Sequence, residues 1–332
     1  MQVPTIDISP FMNDPRGDGL VRRAEVARQW NEAYATIGFA NVVGHGIALE
    51  ELQAIQTAGR SFFDLPLEEK QRASFAGEKR SQGYFQLGLE TVNKAFDARS
   101  GQDAPPDLVE TLTFAFADWE QRTDLTAFEA SIYRPNLWPQ QPLGLEALLR
   151  RYHAQVSNIA RVLMEISAAA LGLQAGFFEP YYRRMATSLR LAHYPEQPTE
   201  PKPGQLRYGA HTDYMGFTLL LQDDAPGGLQ VQDTEGRWID APPLAGAFTV
   251  NCGDLLSRWT NGRWRSNIHR VVNPPRGLLG SSRRLSVVMF TGPDYEAQIE
   301  CLPTCRSEEH PASFPPVRCW DHFQSKVNAS LT

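Results

Sequence analysis

The sequence predicts a mixed α and β protein in one domain spanning residues 1–332, helix-rich to about residue 185, with a closed β core over about 186–295 and a tail over 296–332. Three observations predict it. Before about residue 187, apolar residues recur at helical spacing. After it, short alternating or apolar runs follow one another: SLRLAHY, FTLLLQ, GLQVQD, AFTVNC, NIHRVV and RLSVVMF. Clusters of Gly, Pro, Asn and Asp separate these runs, which is the signature of a β-sandwich or barrel.

Taken in order, residues 20–37 have helical spacing, with Val21, Ala24, Val26, Ala27, Trp30 and Tyr34 available for a buried stripe, and Gly38 ends the helix. GFANVVGHGI reads as a short strand and turn, and residues 49–63 resume a helical pattern. Pro66 before Leu-Glu-Glu-Lys marks a helix start, since proline is preorganised for the first turn. Residues 99–108 and 134–142 are loop-like. Residues 145–172 form the longest helical candidate and close at Gly172. Pro-rich stretches at 195–203 and 273–275 read as loops between strands.

Composition narrows the class of function. Hydrophobic residues make up 42% and charged residues 21%, an ordinary globular balance. A formal net charge of −6 offers no basic footprint for nucleic acid. No run of about 18 apolar residues occurs, so no membrane span is expected. The start, MQVPTIDISPF, lacks the basic-then-apolar order of a signal peptide, and a cytoplasmic location is expected. The cysteines, Cys252, Cys301, Cys305 and Cys319, are too few and too unevenly spaced for a disulfide framework. Cys301, Cys305, His310 and Cys319 make only a weak zinc pattern, and reduced thiols are the expectation.

The first chemical signal is Gly209-Ala-His211-Thr-Asp213. In a strand, residues two apart project to one face, so His211 and Asp213 would offer an imidazole and a carboxylate to one point. His269, in another strand candidate 56 residues beyond Asp213, can supply a third ligand. Two histidines and one carboxylate are the ligand set of non-haem iron(II) oxygenases, which leaves coordination positions open for substrate and oxygen. The remaining candidates considered, His45, His153, His310 and His322, read as structural or surface residues.

A second signal lies in RRLSVVMF, residues 283–290. Alternation places Arg284, Ser286 and Val288 on one face, with Arg283, Leu285 and Val287 on the other. A buried arginine seeks a carboxylate, which its planar fork grips through two hydrogen bonds. That carboxylate is either a ligand's or one of the protein's own. In SLRLAHYP, residues 188–195, the same alternation puts Arg190, Ala192 and Tyr194 on one face, where the Tyr194 hydroxyl can reach the same anion or simply pack in the core.

With these residues in place, the chain resembles the 2-oxoglutarate and iron(II)-dependent oxygenases of the isopenicillin N synthase-like branch. LRLxxYP, HTD, NIHRV and RLS occur in that family's order, and VPTIDISPF, IGFANVVGHGI, FFDLPLEEK, GGLQVQD…GRWIDAPP and VNCGDLLSRWTNGRWRSNIHRV extend the likeness over most of the chain. The resemblance implies a double-stranded β-helix (jelly-roll) core flanked by N-terminal and central helices. It implies iron(II) at His211, Asp213 and His269, and the far carboxylate of 2-oxoglutarate at Arg284 and Ser286 with Tyr194 nearby. The implied reaction consumes O2 and 2-oxoglutarate, releases succinate and carbon dioxide, and hydroxylates or desaturates a small molecule. Two features depart from the pattern: Ala192 stands where many relatives have Asn, and Arg284 follows His269 by 15 residues across a long NPPRGLLGSS loop. Two alternatives stay open. One is an oxidase like isopenicillin N synthase, in which Arg284 and Ser286 grip the substrate's own carboxylate and no 2-oxoglutarate is used. The other is a non-catalytic binding protein on the same fold. For the substrate, Arg190 favours an anionic or carbonyl-bearing small molecule, with Tyr84, Phe85 and Phe96 as an apolar wall.

Overall fold

The computed structural model describes residues 2–12, 19–75, 82–92, 105–116, 118–120, 122–197, 199–277 and 279–331. The elements are β1 (Thr5–Asp7), α1 (Ser9–Met12), α2 (Gly19–Thr36), β2 (Phe39–Val43), α3 (Leu49–Phe63), α4 (Leu67–Gln71), β3 (Gly83–Phe85), β4 (Glu110–Ala115), α5 (Ala127–Ile132) and α6 (Leu145–Ala170). Then come β5 (Ala186–Tyr194), β6 (Tyr208–His211), β7 (Phe217–Leu221), β8 (Gly228–Gln232), β9 (Trp238–Asp240), β10 (Phe248–Cys252), α7 (Asp254–Trp259), β11 (His269–Val272), β12 (Arg284–Gly292), β13 (Gln298–Ile299), β14 (Val317–Arg318) and α8 (Cys319–Leu331). Among the described residues, no helix is long and apolar enough to cross a membrane.

The core is the expected jelly roll: two sheets, mostly antiparallel. The larger runs β1-β2-β10-β7-β12-β5-β4-β3 and the smaller runs β6-β11-β8-β9. Four strands of the larger sheet, β1 to β4, come from the helix-rich part of the sequence; β2 is the strand expected in GFANVVGHGI, the other three are additions, and β1 pairs in parallel with β2. β4, ETLTFA, alternates with period two but is flanked by a loop and is only 6 residues long, so its signal is weak.

Alternation divides the larger sheet into two chemically different faces. Leu189, Leu191, Leu219, Val250, Leu285, Val287 and Met289 all face the helices and are at most 1% exposed. Each such side chain contributes about 1.5–3 kcal/mol by leaving water. Helices α3 and α6 pack on this face. Gly59 in α3 lets the helix approach closely, since a Cβ there would sit 2.8 Å from Leu285 Cδ2. The opposite face of β5 and β12 carries Arg190, Ala192 and Tyr194, and Arg284, Ser286 and Val288, and it looks toward the smaller sheet.

The helices follow the sequence closely. The buried stripe of α2 is Val26, Ala27, Trp30, Ala33 and Tyr34. Val21 and Ala24, expected in that stripe, are exposed, because the apolar pattern starts one turn before the helix meets the core. Gly38 ends the helix in the left-handed region at φ 73°, and its N–H donates to the Ala33 carbonyl at 2.9 Å. A side chain there would collide with the Arg265 carbonyl at 2.3 Å. The four cysteines are free thiols.

Candidate active site

His211 ends β6 and His269 begins β11, and the two residues are direct partners in the antiparallel pairing. Directly opposed residues point to one face, so the imidazoles lie side by side with ring centroids 4.2 Å apart. Asp213 corrects the expectation from strand alternation. β6 stops at His211, and Asp213 sits beyond the strand. A turn brings its carboxylate round instead. Its backbone carbonyl accepts from the Asp254 N–H at 2.8 Å, and Oδ2 accepts from the Asn251 amide at 2.6 Å. Oδ1 then lies 3.7 Å from His211 Nε2 and 3.9 Å from His269 Nε2. The three ligand atoms all fall within 4.8 Å of one another, and no other such group of His, Cys, Asp or Glu occurs among the described residues.

Both imidazoles are held in one tautomer. His211 Nδ1 donates to the Gly209 carbonyl at 2.9 Å, and His269 Nδ1 donates to the Asn267 carbonyl at 3.1 Å. A carbonyl only accepts, so each ring carries a proton on Nδ1 and turns its Nε2 to Asp213. Burial, and then the neighbouring His269, pull the His211 imidazole down to about 3, which keeps it neutral. Burial would raise the Asp213 carboxyl, but His269, His211 and the Asn251 amide outweigh it and hold it below the usual range. Two imidazoles, each with Nε2 turned to one ionised carboxylate, are a donor set that fits iron(II).

Arg284 and Ser286 are 2% and 3% exposed and pair across to Tyr194 and Ala192 of β5. Ser286 and Tyr194 therefore share the inner face of the paired strands. Arg284 Nη1 donates to the carbonyls of Asp223 at 2.8 Å and Ala225 at 3.2 Å, and Nη2 donates to Gln222 Oε1 at 2.8 Å. Its Nε is buried without a hydrogen-bond partner among the described residues. The Asp223 carboxylate, one candidate for an internal salt bridge, is taken by Arg60 at 2.6 Å. Among the described residues, Arg284 has no carboxylate partner, so a buried positive charge stands among neutral acceptors. Val109, Ala192, Tyr194 and Val271, with Tyr208 packed on them, form an apolar cluster on this inner side.

Arg190 shares the inner face of β5 with Tyr194. Its Nε donates to Thr113 Oγ1 at 3.1 Å, and Nη1 donates to Glu90 Oε2 at 3.2 Å and to the Tyr208 hydroxyl at 3.1 Å. Tyr208 in turn meets the His211 ring edge-on, with centroids 4.9 Å apart. Arg190 is therefore ion-paired, and that pair lies beside the histidines rather than on an outer helix. Phe85 stands opposite Thr111, whose hydroxyl donates to Glu90 at 2.6 Å. Tyr84 is a correction. Adjacent residues of one strand face opposite ways, and Tyr84 turns to the helix side, where its hydroxyl donates to Glu110 Oε2 at 2.6 Å in a buried group with Lys70 and His193. Phe96 lies outside the described residues.

Sequence reasoning missed Glu90, Tyr208, Asn251 and Arg207. Asn251 lies in VNCGDLLSRW and Tyr208 immediately precedes Gly209-Ala-His211, and strand alternation could have found both. Glu90 lies in an irregular segment with no periodic signal.

Residues 186–293 match the 2OG-Fe(II) oxygenase superfamily, and residues 3–141 match the non-haem dioxygenase in morphine synthesis N-terminal family. A "2-oxoglutarate-Fe(II) type oxidoreductase" of Aspergillus fumigatus is 32% identical over 99% of this chain and 93% of its own length. "Validamycin A dioxygenase" of Streptomyces hygroscopicus subsp. limoneus is 33% identical over 99% of this chain and 87% of its own. Among solved structures, a full-length Neurospora crassa protein in complex with alpha-KG, which is 2-oxoglutarate, superposes with a TM-score of 0.83 at 29% identity, over 98% of this chain and 96% of that one. The same protein with alpha-KG and thymine gives 0.83 at 28% identity and the same coverage. The fold, the ligand set and these relatives agree: the chain belongs to the 2-oxoglutarate and iron(II)-dependent oxygenase superfamily.

Proposed function

We propose that this oxygenase holds iron(II) at His211, Asp213 and His269, anchors the far carboxylate of 2-oxoglutarate at Arg284 and Ser286 beside Tyr194, and oxidises a small molecule seated against Arg190. One observation carries the reading: the inner sheet faces join a converging His-Asp-His set to a buried guanidinium that has no carboxylate partner among the described residues. When bound, iron, 2-oxoglutarate and O2 supply the oxidising power, and the products are succinate, carbon dioxide and a hydroxylated or desaturated substrate.

The chain's own residues do the positioning. Asn251 occupies Asp213 Oδ2 and leaves Oδ1 for the metal. The Gly209 and Asn267 carbonyls fix both imidazoles, and such supporting bonds are worth about ten- to a hundredfold in metal affinity. Val109, Ala192 and Val271 keep water from the inner space. The four free thiols favour a reducing, cytoplasmic setting.

The substrate is a carbonyl-bearing or anionic small molecule. Glu90 takes part of the Arg190 charge at 3.2 Å, so the pair offers a donor and an acceptor side by side. That favours a neutral group carrying a carbonyl next to an N–H or O–H, and thymine in the Neurospora neighbour is a molecule of this kind. The test is Arg190→Ala against substrates found by a succinate-release screen. Coupled turnover is expected to fall at least about tenfold further than substrate-free decarboxylation, since a charge-assisted hydrogen bond is worth about 1.5–3 kcal/mol. A variant in which both rates and the melting temperature drop together would mark Arg190 as a structural ion-pair residue instead.

A further inference from the structure

Arg207 is the second fully buried arginine on the inner side of the fold, 0% exposed, just ahead of β6. Its Nη1 donates to the Pro226 carbonyl at 2.7 Å, and its Nη2 donates to the Ser282 carbonyl. Its Nε, like that of Arg284, is buried with no hydrogen-bond partner among the described residues. Its Cζ lies 5.9 Å from the centroid of the Tyr194 ring.

The two guanidiniums are neighbours by these contacts. Arg284 holds the carbonyls of Asp223 and Ala225, and Arg207 holds that of Pro226, the next residue along. The other Arg207 anchor, Ser282, stands two residues before Arg284. Among the described residues, neither guanidinium has an ion-pair partner, and Asp223 and Glu196 are engaged with Arg60 and with Ser281 and Ser282. Burial, and then the proximity of Arg284, pull Arg207 down to about 10. Neutral donors would satisfy carbonyl oxygens as well as a guanidinium does. Two like charges buried together are costly and become favourable when an anion joins them.

We infer that Arg207 is a second cation of the co-substrate pocket, so that the far carboxylate of 2-oxoglutarate is held by two arginines and monocarboxylic 2-oxoacids are rejected. This rests on the reading that Arg284 receives that carboxylate. The consequence is specificity as much as affinity. A ligand that brings only the 2-oxoacid head leaves both guanidiniums unpaired.

The test compares 2-oxoglutarate with 2-oxopentanoate, which has the same head and chain but ends in a methyl group. Affinities are measured by calorimetry on the anaerobic iron(II) enzyme, with melting temperatures alongside. Arg207→Gln is expected to weaken 2-oxoglutarate about ten- to a hundredfold and to leave 2-oxopentanoate within about twofold, because one charge-assisted contact to the far carboxylate is lost. Arg207→Lys keeps the charge without the fork and is expected to lose about threefold of the preference. Equal weakening of both ligands, or a wild-type preference in both variants, overturns the proposal and leaves Arg207 as a tether for Pro226 and Ser282. If Arg207→Gln does not fold, the lysine variant decides alone: a wild-type preference there overturns the proposal. Arg284→Gln is run in parallel. If it shifts the preference and the Arg207 variants do not, only Arg207 is excluded. If it too leaves the preference unchanged, the placement of the far carboxylate itself has failed.

Discussion

Asp213→Ala and His269→Ala are each expected to abolish iron(II) binding and turnover while leaving the fold in place. The site offers three protein ligands among the described residues, so none is spare. Losing a supporting hydrogen bond alone costs about ten- to a hundredfold in metal affinity, and losing a ligand outright costs more. The structural penalty is modest. Asp213 lies beyond its strand, and its removal leaves the buried Asn251 amide without its 2.6 Å acceptor, a cost of about 1–3 kcal/mol. His269 opens β11, whose pairing with β6 and β8 is made by backbone. Iron content after gel filtration, with circular dichroism for the fold, checks both variants. Stoichiometric iron in either would remove that residue from the ligand set.

Arg284→Lys is expected to raise the apparent constant for 2-oxoglutarate about ten- to a hundredfold. Lysine keeps the charge, so a change of this size isolates the fork. In this protein the fork has further duties. Nη1 and Nη2 already serve Asp223, Ala225 and Gln222, and an ammonium cannot meet those acceptors and a ligand carboxylate at once. Gln222 is tied in turn to Thr249 at 2.8 Å, and Thr249 to Asn41 at 2.9 Å, so the guanidinium is held at the end of a buried polar chain. An unchanged constant for 2-oxoglutarate with an altered one for the substrate would support the oxidase reading, in which Arg284 and Ser286 grip the substrate.

Period two was enough to sort the β core. It put Arg284 and Ser286 opposite Leu285 and Val287, and Arg190 with Tyr194, and the pairing of β12 with β5 bears out both. These strands are 9 residues long and buried on both faces, so an unsatisfied polar residue stands out against apolar neighbours. The same rule misled at Asp213, because a strand ending at His211 cannot be told from one that continues to 213 by alternation alone. Applied to Tyr84 and Phe85, it would have separated them: adjacent residues of β3 cannot line one cavity, and Tyr84 is the one that faces the helices. β2 was legible in GFANVVGHGI, but β1 and β3 escaped notice because they are 3 residues long, too short for any period. Arg207 carried no signal, since a lone arginine ahead of a strand reads as surface, and only its burial beside Arg284 sets it apart.

The most direct measurement is succinate formed per O2 consumed by the iron(II)-loaded protein, with 2-oxoglutarate present and omitted, alone and with a substrate from the screen. The expected result is succinate only when iron(II), O2 and 2-oxoglutarate are all present, reaching one succinate per oxidised product when substrate is added. Oxygen uptake and product formation that continue without 2-oxoglutarate, with no succinate released, would contradict it.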